Sequence, residues 1–296
     1  MRTNLRHRLR RLYYDAWSHA TPAFKVGARH RLALSIPGRQ RAAEKLADWT
    51  PNWKSQLIFG VLGSRPGAFL DIGANIGQTL IDFCATYAGR PYVAFEPNPR
   101  CVELLSDLVR ANALPQCLIV PIGLSDANGI LRLLSRPGPD TDSGASTDAT
   151  LRPGRAWDVT LVPCFRFDDI SESLGIETIA LIKIDVEGAE LSVLQGMRSA
   201  IADASPWIAC EVLHRDAFVS ADQHQKRLDG LEGFLREMGY AILRVRMSEN
   251  DSDLEELSAV DSFPNEVFSD ENQSECDYLF VPQGDVEAAV QLGQTA

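Results

Sequence analysis

Residues 68–77 read Ala68-Phe69-Leu70-Asp71-Ile72-Gly73-Ala74-Asn75-Ile76-Gly77, and this stretch decides the fold. Phe69, Leu70 and Ile72 surround one acid, Asp71, as in a buried strand. Gly73 and Gly77 then bracket Asn75, and Ile76, Leu80, Phe83, Cys84 and Tyr87 recur on one helical face. A strand, a tight turn and a helix start follow one another. Glycine lets the backbone turn sharply and lets a ligand come close, because no Cβ stands in the way. Nineteen residues after Gly77, at the end of the apolar run Tyr92-Val93-Ala94-Phe95, comes Glu96. An acid at that offset can hydrogen-bond the two ribose hydroxyls of a nucleotide cofactor.

Downstream the strand–helix alternation repeats. Strand two is 92–96, and Pro99 is placed to start the next helix, with Leu105, Leu108 and Val109 inward. Leu118-Ile119-Val120 begins strand three, which runs to Leu124-Ser125-Asp126. The alternation breaks at 128–160, a hairpin or loop insertion whose 136–155 portion is rich in Gly, Pro, Ser, Asp and Thr. Such an insertion is either a lid over a substrate, with Ser143, Ser146 and Thr147 as contacts, or an ordinary surface loop. The alternation resumes at Ile179–Asp185 (strand four), a helix from Ala189 to Asp203, Trp207 to Leu213 (strand five), a helix at 222–238 and Tyr240 to Val245 (strand six). Residues 247–276 read as an acidic, polar loop, Tyr278-Leu279-Phe280-Val281 as strand seven, and 286–296 as a tail that frays. Continuous apolar strands alternating with helices predict an α/β fold with a mostly parallel sheet covered on both faces. The domain runs over 51–285.

Charge divides the chain. Residues 1–50 hold 11 Lys/Arg against 3 Asp/Glu, and the other 246 residues hold 18 against 37. An acidic body argues against nucleic acid as a partner of the main domain. Residues 1–50 are expected to form a basic helical extension, because Leu5, Leu9, Leu12 and Tyr13 fall at helical spacing among arginines. A basic amphipathic helix suits an anionic membrane surface or an acidic partner; it equally suits packing on the domain by its leucine stripe. The six cysteines show no CxxC spacing and read as reduced core thiols, which predicts a cytoplasmic protein, with peripheral contact at the inner membrane through the arm. No apolar run approaches the roughly 20 residues of a membrane span, and the first residues lack the apolar core of a signal peptide.

In sheets of this kind ligands bind beyond the carboxyl ends of the strands. Acids recur there: Asp71 and Gly73 after strand one, Glu96 after two, Ser125 and Asp126 after three, Asp185 and Glu187 after four, Glu211 with His214 after five. A dinucleotide fingerprint would have a glycine at position 75, where Asn75 stands. That glycine admits a pyrophosphate; its absence, with Asp71 nearby, suits a ligand carrying an ammonium and a sulfonium, such as S-adenosylmethionine.

These residues also resemble a family. Phe69 to Gly77 resembles the first motif of FkbM-type S-adenosylmethionine-dependent methyltransferases, and Ala94-Phe95-Glu96-Pro97-Asn98-Pro99 their ribose-binding segment. Gly123-Leu124-Ser125-Asp126 is similar to the segment that meets adenine in class I methyltransferases. The most specific likeness is Ile182-Lys183-Ile184-Asp185-Val186-Glu187-Gly188-Ala189-Glu190 followed by Val193-Leu194-Gln195-Gly196. The resemblance covers residues 65–215, with a weaker echo at Asp277–Pro282; residues 1–50 find no counterpart. It implies a Rossmann-like, seven-stranded sheet with one antiparallel C-terminal strand. It also implies a cofactor set of Asp71, Gly73, Ala74, Asn75, Gly77, Glu96, Pro97, Ser125 and Asp126.

The expected reaction is O-methylation of a hydroxyl on a sugar or small natural product, with a glycan or small molecule as acceptor. Asp185 is the first candidate for the base, with Glu187, Glu211 and His214 next. Glu187 and Glu190 are explained equally by acids favouring a helix N-terminus. A close carboxylate pair can hold a divalent cation, but the sequence shows no three matched ligands, so no metal site is assigned. Two other classes compete: a nicotinamide-dependent oxidoreductase, against which the missing glycine counts, and a non-catalytic S-adenosylmethionine-binding module, against which the acids of strands four and five count.

Overall fold

The computed structural model describes residues 23–26, 32–35, 46, 52–87, 89–137, 144–151, 156–248 and 253–295. The leucine stripe of residues 4–14 lies outside them. Within residues 1–50 the described backbone contains two short antiparallel strands, β1 (Ala23–Val26) and β2 (Leu32–Ser35).

The opening stretch folds as read. β3 (Ala68–Ile72) is buried along its whole length, and side chains alternate between two cores. Phe69 packs on one face with Tyr92 and Phe83, while Leu70 and Ile72 face the other. The Phe69 and Tyr92 rings meet edge-on at 5.5 Å. Truncating Phe69 to Ala would cost about 3–5 kcal/mol. On the first face lie α1 (Trp53–Ser64), α2 (Gln78–Tyr87), α3 (Pro99–Ala111) and, at the far end, α8 (Val286–Thr295). On the second lie α4 (Phe167–Ile170), α5 (Glu190–Gly196), α6 (Arg198–Ala204) and α7 (Ala221–Glu237). Asn98 caps α3 through the Arg100 N–H, with Pro99 in the first turn as expected.

Among the described residues the main sheet has eight strands. They are β3, β4 (Tyr92–Phe95), β5 (Cys117–Val120), β9 (Ile179–Ile184), β10 (Trp207–Glu211), β11 (Tyr240–Met247), β12 (Leu254–Val260) and β13 (Asp277–Pro282). Their order is β12-β11-β13-β10-β9-β3-β4-β5. From β5 to β10 all neighbours are parallel, and β13 enters antiparallel between β10 and β11. Seven of the strands are those expected. The eighth, β12, lies in the segment read as a loop. Leu254 and Leu257 are buried while Glu255 points to solvent, so its acidic content hid an edge strand.

Three further expectations are corrected. Strand three ends at Val120, and Gly123–Leu124 (β6) joins a separate three-stranded sheet, ordered β6-β8-β7, with β7 (Gly129–Ser135) and β8 (Asp158–Phe165) of the insertion. The helix expected over 189–203 is two, because Met197 leaves helical geometry at φ −113°, ψ 10°. Residues 286–295 do not fray: they form α8, which packs along β12 with Ala289 fully buried. All six cysteines are free and buried. Among the described residues no helix is long and apolar enough to cross a membrane.

Candidate active site

A hollow of about 330 Å³ opens at the carboxyl ends of β3, β4 and β9, a volume within the roughly 300–1,000 Å³ of small-molecule sites. Gly73, Asn75, Glu96, Pro97, Ser125, Asp126, Asp185 and Glu187 all line it. The expected residues therefore converge, although they come from four strand ends.

The turn after β3 shapes one wall. Gly73 adopts φ +80°, and a Cβ there would stand 1.9 Å from the Asp185 carbonyl oxygen, so the turn and the end of β9 touch only because the position is glycine. Asn75 is left-handed at φ 49° and donates its backbone N–H to Glu96 Oε2 at 2.7 Å. Glu96 Oε1 accepts the Asn98 N–H at 2.8 Å. Burial pushes the Glu96 carboxyl up to about 7, against these two N–H groups, which favour its charged form. Both oxygens are thereby fixed while the residue lines the hollow. Ala74 and Gly77 shape the turn without lining the hollow; Ala74 is buried.

Asp71 is placed differently from the expectation. It is wholly buried and does not line the hollow. It accepts a hydrogen bond from the Tyr92 hydroxyl and lies 3.2 Å from Lys183 Nζ. Lys183 also donates to the Gly73 carbonyl at 2.9 Å and sits 3.2 Å from Asp185 Oδ2. The reason is strand parity. Asp71 and Lys183 are register partners on adjacent parallel strands, so both point to the α1–α2 side. Burial works to lower Lys183, but Asp185 and Asp71 outweigh it and hold its ammonium above the usual lysine range. Lys183 belongs to the most specific motif, yet spacing gave no sign of its role.

Asp185 is the wall between this hollow and a second, smaller one of about 30 Å³, lined by Trp53, Lys54, Thr79, Lys183, Glu211 and Asp277 among others. Burial raises the Asp185 carboxyl, but the Lys183 and Lys54 ammonium groups together bring it below its ordinary value. Glu211 hydrogen-bonds Asp185, and burial followed by the Asp185 charge pushes it well above the carboxylate range. Within the pair, Asp185 is thus favoured as the ionised member and Glu211 as the one that carries the proton. Asp185, Glu187 and Glu211 each bring one carboxylate oxygen within 4.8 Å of the others, a set that could accept a divalent cation. It joins two strand ends far apart in sequence, which is why no ligand spacing announced it.

His214 is not brought into either hollow. Its Nε2 is buried without a hydrogen-bond partner among the described residues. Burial, with Arg227 and Arg215, holds His224 down at about 4. Glu190 is structural: it accepts the Gly188 N–H at 2.7 Å and pairs with Arg227 at 2.6 Å at the start of α5.

The insertion closes the far side. Leu131, Leu133 and Val162 supply an apolar wall, and Ala145 and Thr147 also line the hollow. Ser146, buried, donates its hydroxyl to the Glu187 carbonyl at 2.6 Å. Glu187 is left-handed at φ 53°, and Gly188 follows at φ +108°, where a Cβ would lie 2.0 Å from Leu151 Cδ1. The segment 144–151 is thus docked on the turn after β9. Ser143 lies outside the described residues.

The Methyltransferase FkbM domain model matches residues 71–242. Among curated proteins, methyltransferase sdnD of Sordaria araneosa is 29% identical over 202 residues, 60% of this chain and 74% of that protein. The hexuronic acid methyltransferase AglP of Haloferax volcanii is 31% identical over 135 residues, 44% of this chain and 50% of that one. The 31-O-demethyl-FK506 methyltransferase FkbM of Streptomyces tacrolimicus is 30% identical over 165 residues, 46% and 62% respectively. The chain thus spans between half and three quarters of these relatives' lengths. Among solved structures, a methyltransferase FkbM from Methylobacillus flagellatus KT matches 78% of this chain and 48% of that one, at 19% identity and a TM-score of 0.46.

Proposed function

This chain belongs to the FkbM methyltransferase family, and from that premise we propose that it transfers the methyl group of S-adenosylmethionine to a hydroxyl of a sugar or small natural product. The observation that carries the reading is Glu96, a buried carboxylate with both oxygens fixed by backbone N–H groups on the wall of the 330 Å³ hollow. The residues fit the cofactor. Glu96 retains lone pairs for ribose hydroxyls, and Ile122, Leu131 and Val162 offer an apolar slot beside Ser125 and Asp126 for adenine. Gly73 and Asn75 of the turn line the same hollow, beside Asp185, for the amino-acid end.

When bound, S-adenosylmethionine supplies a methyl group already activated by its sulfonium. The chain must align the acceptor, and placement of this kind is worth about 7–11 kcal/mol. Asp185, ionised and shared by both hollows, receives the proton that the acceptor hydroxyl loses as its oxygen–carbon bond forms. Such a base adds roughly 10²–10⁴-fold. Glu211 steadies Asp185 through their hydrogen bond.

Calorimetric titration with S-adenosylmethionine, S-adenosylhomocysteine and NAD tests the cofactor. Micromolar binding of the first two and none of NAD is expected; binding of NAD alone would overturn the reading.

A further inference from the structure

The second hollow is walled from outside the stretch that the family model matches: Trp53 and Lys54 precede residue 71, and Asp277 follows residue 242. Lys183, Asp185 and Glu211 of the matched stretch thus share this hollow with Lys54, which lies before that stretch.

The first turn of α1 is held firmly. Asn52 Oδ1 accepts the Lys54 N–H at 2.9 Å, and Ser55 Oγ donates to Asp82 Oδ1 of α2 at 2.6 Å. From that turn the half-buried Lys54 reaches the hollow, its Nζ 5.3 Å from the centre of the Trp53 ring. Its Nζ makes no hydrogen bond or ion pair with a described residue, whereas Lys183 contacts Gly73, Asp71 and Asp185. An ammonium is a donor of three hydrogen bonds. One held at a site wall with none made is poised for a ligand oxygen.

Charge selects the kind of oxygen. With the proton of the Asp185–Glu211 pair on Glu211, the carboxylates of Asp185 and Asp277 balance the ammonium groups of Lys54 and Lys183. An added anion would bring an unpaired charge into this small hollow, and a neutral oxygen would not. The volume, about 30 Å³, holds a group of water-like size beside the wall at Asp185.

Resting on the methyltransferase reading, we propose that Lys54 binds the acceptor. Its ammonium donates to an uncharged oxygen next to the hydroxyl that is methylated, so the enzyme selects acceptors with two neighbouring oxygens, such as a vicinal diol, over simple alcohols and over acceptors with a carboxylate at that place.

The full-length protein and its Lys54→Met and Lys54→Arg variants are assayed with methyl-labelled S-adenosylmethionine. The probes are methyl α-D-glucopyranoside, cis-1,2-cyclohexanediol, cyclohexanol and methyl α-D-glucopyranosiduronate. The expected result is transfer to the glucoside or the diol, with little to cyclohexanol or the glucuronide. Lys54→Met should raise the acceptor KM by roughly 10–100-fold, the range of a hydrogen bond to a charged group, and Lys54→Arg should restore part of it. S-adenosylhomocysteine affinity should be unchanged in both variants, which also reports that they fold. Transfer to no neutral diol, preference for the glucuronide, or an unchanged KM in Lys54→Met would each overturn the inference while cofactor binding stands. Absence of cofactor binding in the unaltered protein would instead strike the methyltransferase reading.

Discussion

Lys183 Nζ stands 3.2 Å from Asp71 Oδ1 in the middle of the sheet, and Asp71 is wholly inaccessible to solvent. The contact follows from register, since the two residues are neighbours on β9 and β3 and point to the same face. Through Lys183, the carboxylate of the first motif is joined to the Gly73 carbonyl on one side and to Asp185 on the other. The cofactor turn and the candidate base thus share one buried cation.

Removing that cation should be costly. Lys183→Met leaves Asp71 buried without its charge partner, a situation worth about 3–5 kcal/mol. Urea unfolding should show the loss, and the double variant with Asp71→Asn should recover part of it. Additive effects would show that the two residues are not coupled.

Asp185→Asn should lower turnover by roughly 10²–10⁴-fold, the contribution of a general base. The affinity for S-adenosylhomocysteine should change less than turnover, since no acceptor proton is moved when it binds. Equal activity in the variant would remove Asp185 from proton transfer.

Glu96 makes cofactor affinity pH-dependent. Burial has raised its carboxyl to about 7, so at pH 6 the unliganded site is mostly protonated and accepts poorly from ribose hydroxyls. Ligand binding favours the ionised form, so affinity should rise with pH up to about 7 and level off above it. The expected slope below that point approaches tenfold per pH unit. Calorimetry with S-adenosylhomocysteine between pH 5.5 and 8 measures it, and Glu96→Gln should bind weakly with a flat profile.

Docking of 144–151 should govern cofactor release. Ser146→Ala deletes the hydrogen bond to the Glu187 carbonyl, an interaction worth about 1 kcal/mol. Stopped-flow fluorescence should show S-adenosylhomocysteine leaving several-fold faster. Gly188→Ala should act more strongly, because its Cβ would collide with Leu151 and its φ of +108° disfavours any side chain. Release rates equal to those of the unaltered protein would mean that this segment does not retain the ligand.

The extent of what could be read from the chain differs by element. β3, its glycine turn and Glu96 were legible because they are local: hydrophobic runs set strand burial, and glycine marks where the backbone must turn. β12 escaped because an edge strand needs only one buried face, and Leu254 and Leu257 are few among the acids of that segment. The break at Met197 escaped because 189–203 is helical by pattern on both sides of it.

The sequence by itself determined the doubly covered parallel sheet, the family motifs and the strand ends on which the polar residues would stand. Only the tertiary structure decided which of those residues share a cavity. Strand parity turned Asp71 away from the hollow and towards Lys183, and the path of the chain after β10 kept His214 from both hollows. It also carried α1 and Lys54, from outside the family stretch, to the far side of Asp185. The physical reason is that periodicity is a property of neighbours along the chain, whereas charge pairing and cavity lining depend on register and packing between segments more than a hundred residues apart.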